Sequence, residues 1–113
     1  MNHNNAKIKW GLQIFHGNTN KDFVQNCVKN WKNVILTNIG VDNLSNVEHS
    51  EYMESIEFWK RVKGEKVLIF QTDSVLLKHG IEEFLNYDYI GAPWPDNLLG
   101  NATRDFRVGN GGF

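Results

Sequence analysis

Val67-Leu68-Ile69-Phe70-Gln71-Thr72-Asp73-Ser74, residues 67–74 of this 113-residue chain, is the stretch that decides the expected fold. Its four consecutive apolar residues are typical of a strand covered on both faces, as in the centre of a parallel sheet. We therefore predict a strand over residues 66–71. Asp73 follows that strand directly, so its carboxylate would lie at the carboxyl edge of the sheet, where open α/β folds bind ligands.

Alternating strand and helix patterns surround this stretch, without internal repeats or a flexible linker. The hydrophobic patterns predict strands over residues 10–15, 34–39 and 87–91, with a further strand starting at residue 108. Helical spacing of apolar residues predicts helices over residues 22–31 and 45–64, and a short helix over residues 81–85. This order of elements indicates an α/β fold.

Each of the two longer helices carries a stripe of apolar residues that we expect to be buried. The second helix is expected to begin at Ser45, because Ser45 and Glu48 have the spacing of a capping box. Cys27 is the only cysteine, which excludes an internal disulfide, and we expect it to be a small buried side chain. The predicted stripes are Phe23, Val24, Cys27, Val28 and Trp31 on the first helix, and Tyr52, Ile56 and Trp59 on the second.

Composition excludes several classes of function. The 12 basic and 13 acidic side chains give a net charge of -1, which argues against nucleic acid or an acidic membrane as a partner. Apolar residues make up 41% of the chain, as in folded proteins. We expect residues 1–8 to be disordered and residues 9–113 to form the domain. No signal peptide and no apolar run of about 18 residues is present, so the sequence predicts a cytoplasmic protein.

Four motifs in a fixed order carry a resemblance. They are Trp10-Gly11-Leu12-Gln13-Ile14-Phe15-His16-Gly17, the stretch over residues 67–74, Tyr87-Asp88-Tyr89-Ile90-Gly91-Ala92-Pro93-Trp94, and Gly109-Asn110-Gly111-Gly112-Phe113. From about Lys9 onward the chain resembles a family of uncharacterised glycosyltransferase-like domains, which is similar to GT-A transferases. The resemblance implies a Rossmann-like mixed sheet of GT-A type, a nucleoside-diphosphate sugar as donor, and a divalent cation, Mn²⁺ or Mg²⁺, held by a D-x-D-like motif.

The chemistry of that motif follows from the charge of the leaving group. A diphosphate gains negative charge as the glycosidic bond breaks, and a divalent cation offsets it when a carboxylate anchors the metal. Asp73 is the candidate metal anchor, and Gln71 and Ser74 are the other candidate donor-binding residues. Because Gln71 stands where a D-x-D motif has its first carboxylate, we expect weaker metal binding. The alternative is that Asp73 and Ser74 only form a turn at the end of the strand.

The resemblance also implies contacts to the sugar or the acceptor. Trp94 could stack on a sugar ring, with burial under a loop as the alternative. Gly111 and Gly112 would let the backbone approach the sugar or acceptor, or form a plain glycine turn.

The chain departs from the GT-A pattern at both ends. GT-A domains begin with a strand that receives the nucleotide base and continue, past the Gly-Gly-Phe strand, into a segment with a catalytic base. Neither is seen here, so we expect an incomplete domain, name no catalytic residue, and expect a partner chain or a missing segment to complete the sheet. The alternative function is a truncated non-catalytic relic or interaction module of the same fold.

Overall fold

The computed structural model describes residues 9–93 and 108–109. The chain divides into two compact units, Met1–Lys63 and Gly64–Phe113, which are described in turn. The expected disorder of residues 1–8 concerns a segment that lies outside the described residues.

The first unit is built on a βαβ arrangement. Strand β1 (Leu12–His16) and strand β2 (Val34–Asn38) are joined through helix α1 (Lys21–Cys27). The strands are parallel, with Leu12 opposite Val34 at one end and His16 opposite Asn38 at the other. Helix α2 (Asn46–Glu54) and helix α3 (Ile56–Arg61) follow. Helices together with a small parallel sheet confirm the α/β class, and both strand predictions for this unit were correct to within two residues.

Helix α1 is shorter than predicted. It ends at Cys27, and residues 28–30 form a turn that brings the chain to Asn33. Asn33 has a φ of 58°, and its carbonyl accepts a hydrogen bond from the Leu12 N–H at 2.9 Å. The chain must leave the helix before Trp31 so that Asn33 and Val34 can pair with β1 in parallel register. The predicted apolar stripe nevertheless continues to Trp31. The predicted burial of Phe23, which is 71% exposed, and of Cys27, which is exposed, was wrong.

The predicted helix over residues 45–64 is two helices that meet at Ser55. The capping box at Ser45 is confirmed: its Oγ accepts the Glu48 N–H at 3.3 Å, and the Glu48 carboxylate accepts the Ser45 N–H at 2.8 Å. Ser55 has a ψ of 146°, which is extended backbone. Its Oγ accepts the Phe58 N–H at 3.1 Å and so starts α3, while its hydroxyl donates to the Tyr52 carbonyl at 2.6 Å.

The break at Ser55 changes which side chains face inward. Ile56 and Trp59 are 74% and 50% exposed, so their predicted burial was wrong. Phe58 is buried instead, at 5% exposure. Its ring packs 4.9 Å from that of Phe15 on β1 and 5.5 Å from that of Tyr52 on α2, measured between centroids. These three aromatic rings form the core between the sheet and the α2–α3 pair.

A polar contact lies on the same face of the sheet as Phe15. The Gln13 side-chain amide nitrogen donates to the Thr37 hydroxyl at 2.8 Å and to the Arg61 carbonyl at 2.9 Å. Its amide oxygen accepts the Lys63 N–H at 2.9 Å. Gln13 therefore ties β1 to β2 and to the end of α3, which fixes where Arg61 lies.

The second unit contains little regular structure among its described residues. A single turn of 3-10 helix covers Ile81–Phe84, starting at Gly80 with a φ of 115°, as the predicted short helix requires. Strands β3 (Ala92–Pro93) and β4 (Val108–Gly109) pair antiparallel, which confirms the strand predicted to start at residue 108.

Two strand predictions for this unit were wrong. Residues 66–71 and 87–91 are not in strands, and Val67 and Phe70 are 44% and 50% exposed. An extended apolar segment becomes a strand only when a neighbouring chain segment pairs with its backbone. No described residue pairs with either segment in this way.

Candidate functional site

Residues 71–74 form a turn directly after the apolar segment over residues 67–70. The Ser74 N–H donates to the Gln71 carbonyl at 3.1 Å, which closes the turn. The side chains of Gln71 and Asp73 are exposed, whereas Ser74 is partly buried. Residues 72 and 73 therefore lie in a turn, and the Asp73 side chain is exposed on it.

The Asp73 carboxylate makes no hydrogen bond or ion pair with the described residues. The described residues also contain no group of three or more His, Cys, Asp or Glu side chains that could hold a metal ion. A cation at Asp73 would therefore not be held by three such side chains of the described residues. Mg²⁺ is often bound in this manner, through one or two carboxylates together with substrate phosphates.

The three residues predicted to contact sugar or acceptor, Trp94, Gly111 and Gly112, lie outside the described residues. Two of the four motifs nevertheless meet where the structure describes them. Ala92, from the third motif, is opposite Gly109, the first residue of the fourth. The short β3–β4 ladder thus joins segments that are separated in sequence.

A second polar group lies at the carboxyl ends of β1 and β2, and the sequence analysis missed it. Asn38 is the last residue of β2, and its carbonyl accepts a hydrogen bond from Nη2 of Arg61. Nη1 of Arg61 donates to the Tyr52 hydroxyl at 3.0 Å. Arg61 is partly buried at the end of α3. The available signal was an arginine in the last turn of a helix that follows a parallel strand pair.

His16, the last residue of β1, lies at the same end of the sheet. It is 4% exposed, and its Nδ1–H donates to the Gly17 carbonyl at 2.7 Å. The adjoining Gly17 is in close contact with the loop after β2, because a Cβ atom there would lie 2.5 Å from the Asp42 carbonyl oxygen. The Asn18 N–H continues this contact by donating to the Val41 carbonyl at 2.9 Å. The two loops that follow β1 and β2 are therefore held tightly together.

Comparison with known proteins gives one match. The model of a family described as "Protein of unknown function (DUF5672)" matches residues 35–113, which is more than half of the chain. The chain belongs to this family. The DUF5672 match begins within β2 and includes the turn over residues 71–74. No curated protein and no solved structure matches the chain.

The helices of the described residues were also compared with the requirements of a bilayer. None of those helices combines the length and the apolar character needed to cross a membrane.

Proposed function

We propose that this DUF5672 chain is a glycosyltransferase-like domain that binds a nucleoside-diphosphate sugar through a divalent cation anchored by Asp73. The observation that carries the proposal is the Asp73 carboxylate, which is exposed on a turn after an apolar segment and makes no contact with another described side chain. Such a carboxylate is free to bind a metal. The order of the four motifs supports the same assignment.

The reaction chemistry defines what each residue would do. Asp73 would hold the cation, which would supply positive charge to stabilise the charge that develops on the diphosphate leaving group. Gln71 would supply a neutral carbonyl oxygen in place of a second carboxylate, so binding of the metal alone would be weak. The diphosphate then provides the missing negative charge, and we expect metal and nucleotide to bind together.

The finer features of the fold belong to the same proposal. The parallel βαβ arrangement over residues 12–38 is consistent with a Rossmann-like sheet of GT-A type. Trp94, Gly111 and Gly112 are proposed to contact the sugar or the acceptor. A partner chain or a further segment would complete the sheet.

A paramagnetic relaxation experiment tests this proposal residue by residue. In ¹⁵N spectra of the full chain with UDP, substoichiometric Mn²⁺ should broaden the amide signals of residues 71–74 first. Asp73→Asn should abolish this broadening, whereas Asp88→Asn, which removes the same charge from another exposed carboxylate of the unit, should retain it. Equal broadening in wild type and Asp73→Asn would show that the metal binds elsewhere.

A second candidate function is a non-catalytic interaction module. Val75, Leu76 and Leu77 are 71%, 60% and 94% exposed, and three consecutive exposed apolar side chains favour a protein contact. If the module binds a second copy of itself, sedimentation should show association that increases with concentration and is lost in Leu77→Lys. The exposed Asn86→Lys variant, which adds the same charge, should still associate. A monomer at all concentrations would oppose this candidate.

A further inference from the structure

Arg61 is a cation with no acidic partner among the described residues. Among the described residues, its guanidinium donates only to the Asn38 carbonyl and the Tyr52 hydroxyl, both of which are uncharged. A guanidinium is a permanent cation that prefers carboxylate or phosphate oxygens, and taking it out of water without such a partner is unfavourable. The partly buried position of Arg61 therefore leaves an unmatched positive charge in the fold.

The position of this charge is fixed by the surrounding contacts. The Tyr52 hydroxyl and the Asn38 carbonyl hold two of the guanidinium nitrogens, and Gln13 holds the Arg61 backbone carbonyl at 2.9 Å. A guanidinium has five N–H donors. Two are used in these contacts, which leaves three for a ligand. Because the planar guanidinium of Arg61 is already held in one orientation, less side-chain entropy is lost when a ligand binds.

The location favours a ligand site over a purely structural role. Asn38 ends β2, so Arg61 lies at the carboxyl edge of a parallel strand pair, where α/β folds bind ligands. The loop after β2 leaves open space at that edge, because a Cβ atom added at Gly40 would meet nothing within 4 Å. The φ of 84° at Gly40 is a separate reason why glycine is favoured there.

We infer that Arg61 binds a phosphoryl group at the carboxyl ends of β1 and β2. The remaining three donors suit an anion with several oxygens and more than one charge, as in a phosphoryl group. This site lies in the first unit and uses none of residues 71–74. The inference about Arg61 can therefore be tested separately from the function proposed for Asp73.

The test is a titration of the ¹⁵N-labelled full chain with inorganic pyrophosphate, in EDTA and 150 mM NaCl. EDTA removes divalent cations, so a metal site at Asp73 cannot contribute. We expect saturable shifts of the amides of residues 38–40 and of the Arg61 side-chain N–H signals. Inorganic phosphate should give the same shifts at higher concentration, and acetate should give none. Equal binding of acetate, or shifts that do not saturate, would overturn the inference.

Variants separate the guanidinium from general positive charge. Arg61→Gln should weaken pyrophosphate binding by about tenfold or more, because charge-assisted hydrogen bonds are lost. Lys60→Gln removes one neighbouring charge and should change the affinity by less than about threefold. Tyr52→Phe keeps the aromatic ring but releases Nη1, so binding should weaken while the arginine remains. The inference would be overturned if Arg61→Gln bound pyrophosphate as tightly as Lys60→Gln does. It would also be overturned if Tyr52→Phe bound pyrophosphate with the affinity of the wild type.

Discussion

Replacing Gln13 by methionine removes three hydrogen bonds while keeping the shape of the side chain. These bonds join β1 to the Thr37 hydroxyl, the Arg61 carbonyl and the Lys63 N–H, at 2.8, 2.9 and 2.9 Å. Each contributes a net stabilisation of about 1 kcal/mol, so the free energy of unfolding should fall by about 3 kcal/mol. For a chain of this size that corresponds to a decrease in Tm of about 12 °C.

Urea unfolding followed by circular dichroism measures this loss directly. The matched control is Gln25→Met on α1, where the same side-chain change is made at an exposed position. The control should unfold within about 0.5 kcal/mol of the wild type. If Gln13→Met were as stable as the control, the three bonds would not connect the sheet to α3, and the positioning of Arg61 would need another explanation.

Two further predictions concern the loops and the helix start of the first unit. Gly17→Ala should destabilise the fold by about 1–3 kcal/mol, because its Cβ would lie 2.5 Å from the Asp42 carbonyl oxygen. Gly11→Ala, whose Cβ would lie 3.6 Å from its nearest contact, should be close to neutral in the same unfolding assay, and equal losses would contradict this packing. The hydrogen bonds from the Ser45 backbone and side chain lower the pKa of Glu48 below its ordinary value of 4.5. The stability that Glu48 contributes is therefore present above pH 4.5 and is lost as the pH falls through the lowered pKa. The Glu48→Gln variant should lack this pH dependence. An NMR titration of Glu48 with a midpoint at or above 4.5 would contradict the prediction.

Local sequence signals predicted the parts of the fold that depend on neighbouring residues. The capping box at Ser45 and the short helix over residues 81–85 were predicted correctly because both arise from contacts within a few residues. Strands β1 and β2 were also predicted, since each combines an apolar segment with a flanking turn. The α/β class followed from these elements.

The errors arose where structure depends on distant contacts. The apolar run over residues 67–70 has the composition of a buried strand, but a strand also requires a pairing partner that local sequence does not specify. Ser55 interrupts the second helix through hydrogen bonds to Phe58 and Tyr52, which moved the buried position from Ile56 to Phe58. Apolar spacing that assumes one continuous helix does not predict that a break at Ser55 changes which side chains are buried.

The candidate site was predictable only in part. Asp73 was selected because it follows an apolar run, and the structure places it on an exposed turn, where no described residue bonds to its carboxylate. Arg61 was missed because its position depends on Asn38 and Tyr52, which are 23 and 9 residues away in sequence. The one local signal, an arginine in the last turn of a helix, does not by itself show which residues the guanidinium contacts.

The central claim is that Asp73 anchors a cation which binds the diphosphate of a nucleotide sugar. The most direct test is a calorimetric titration of the folded full chain with UDP, with and without Mn²⁺, in wild type, Asp73→Asn and the matched Asp88→Asn control. We predict binding that requires Mn²⁺, that Asp88→Asn retains and that Asp73→Asn loses. Binding of UDP that is unchanged by Mn²⁺ or by Asp73→Asn, or no binding by the folded wild type, would contradict the claim.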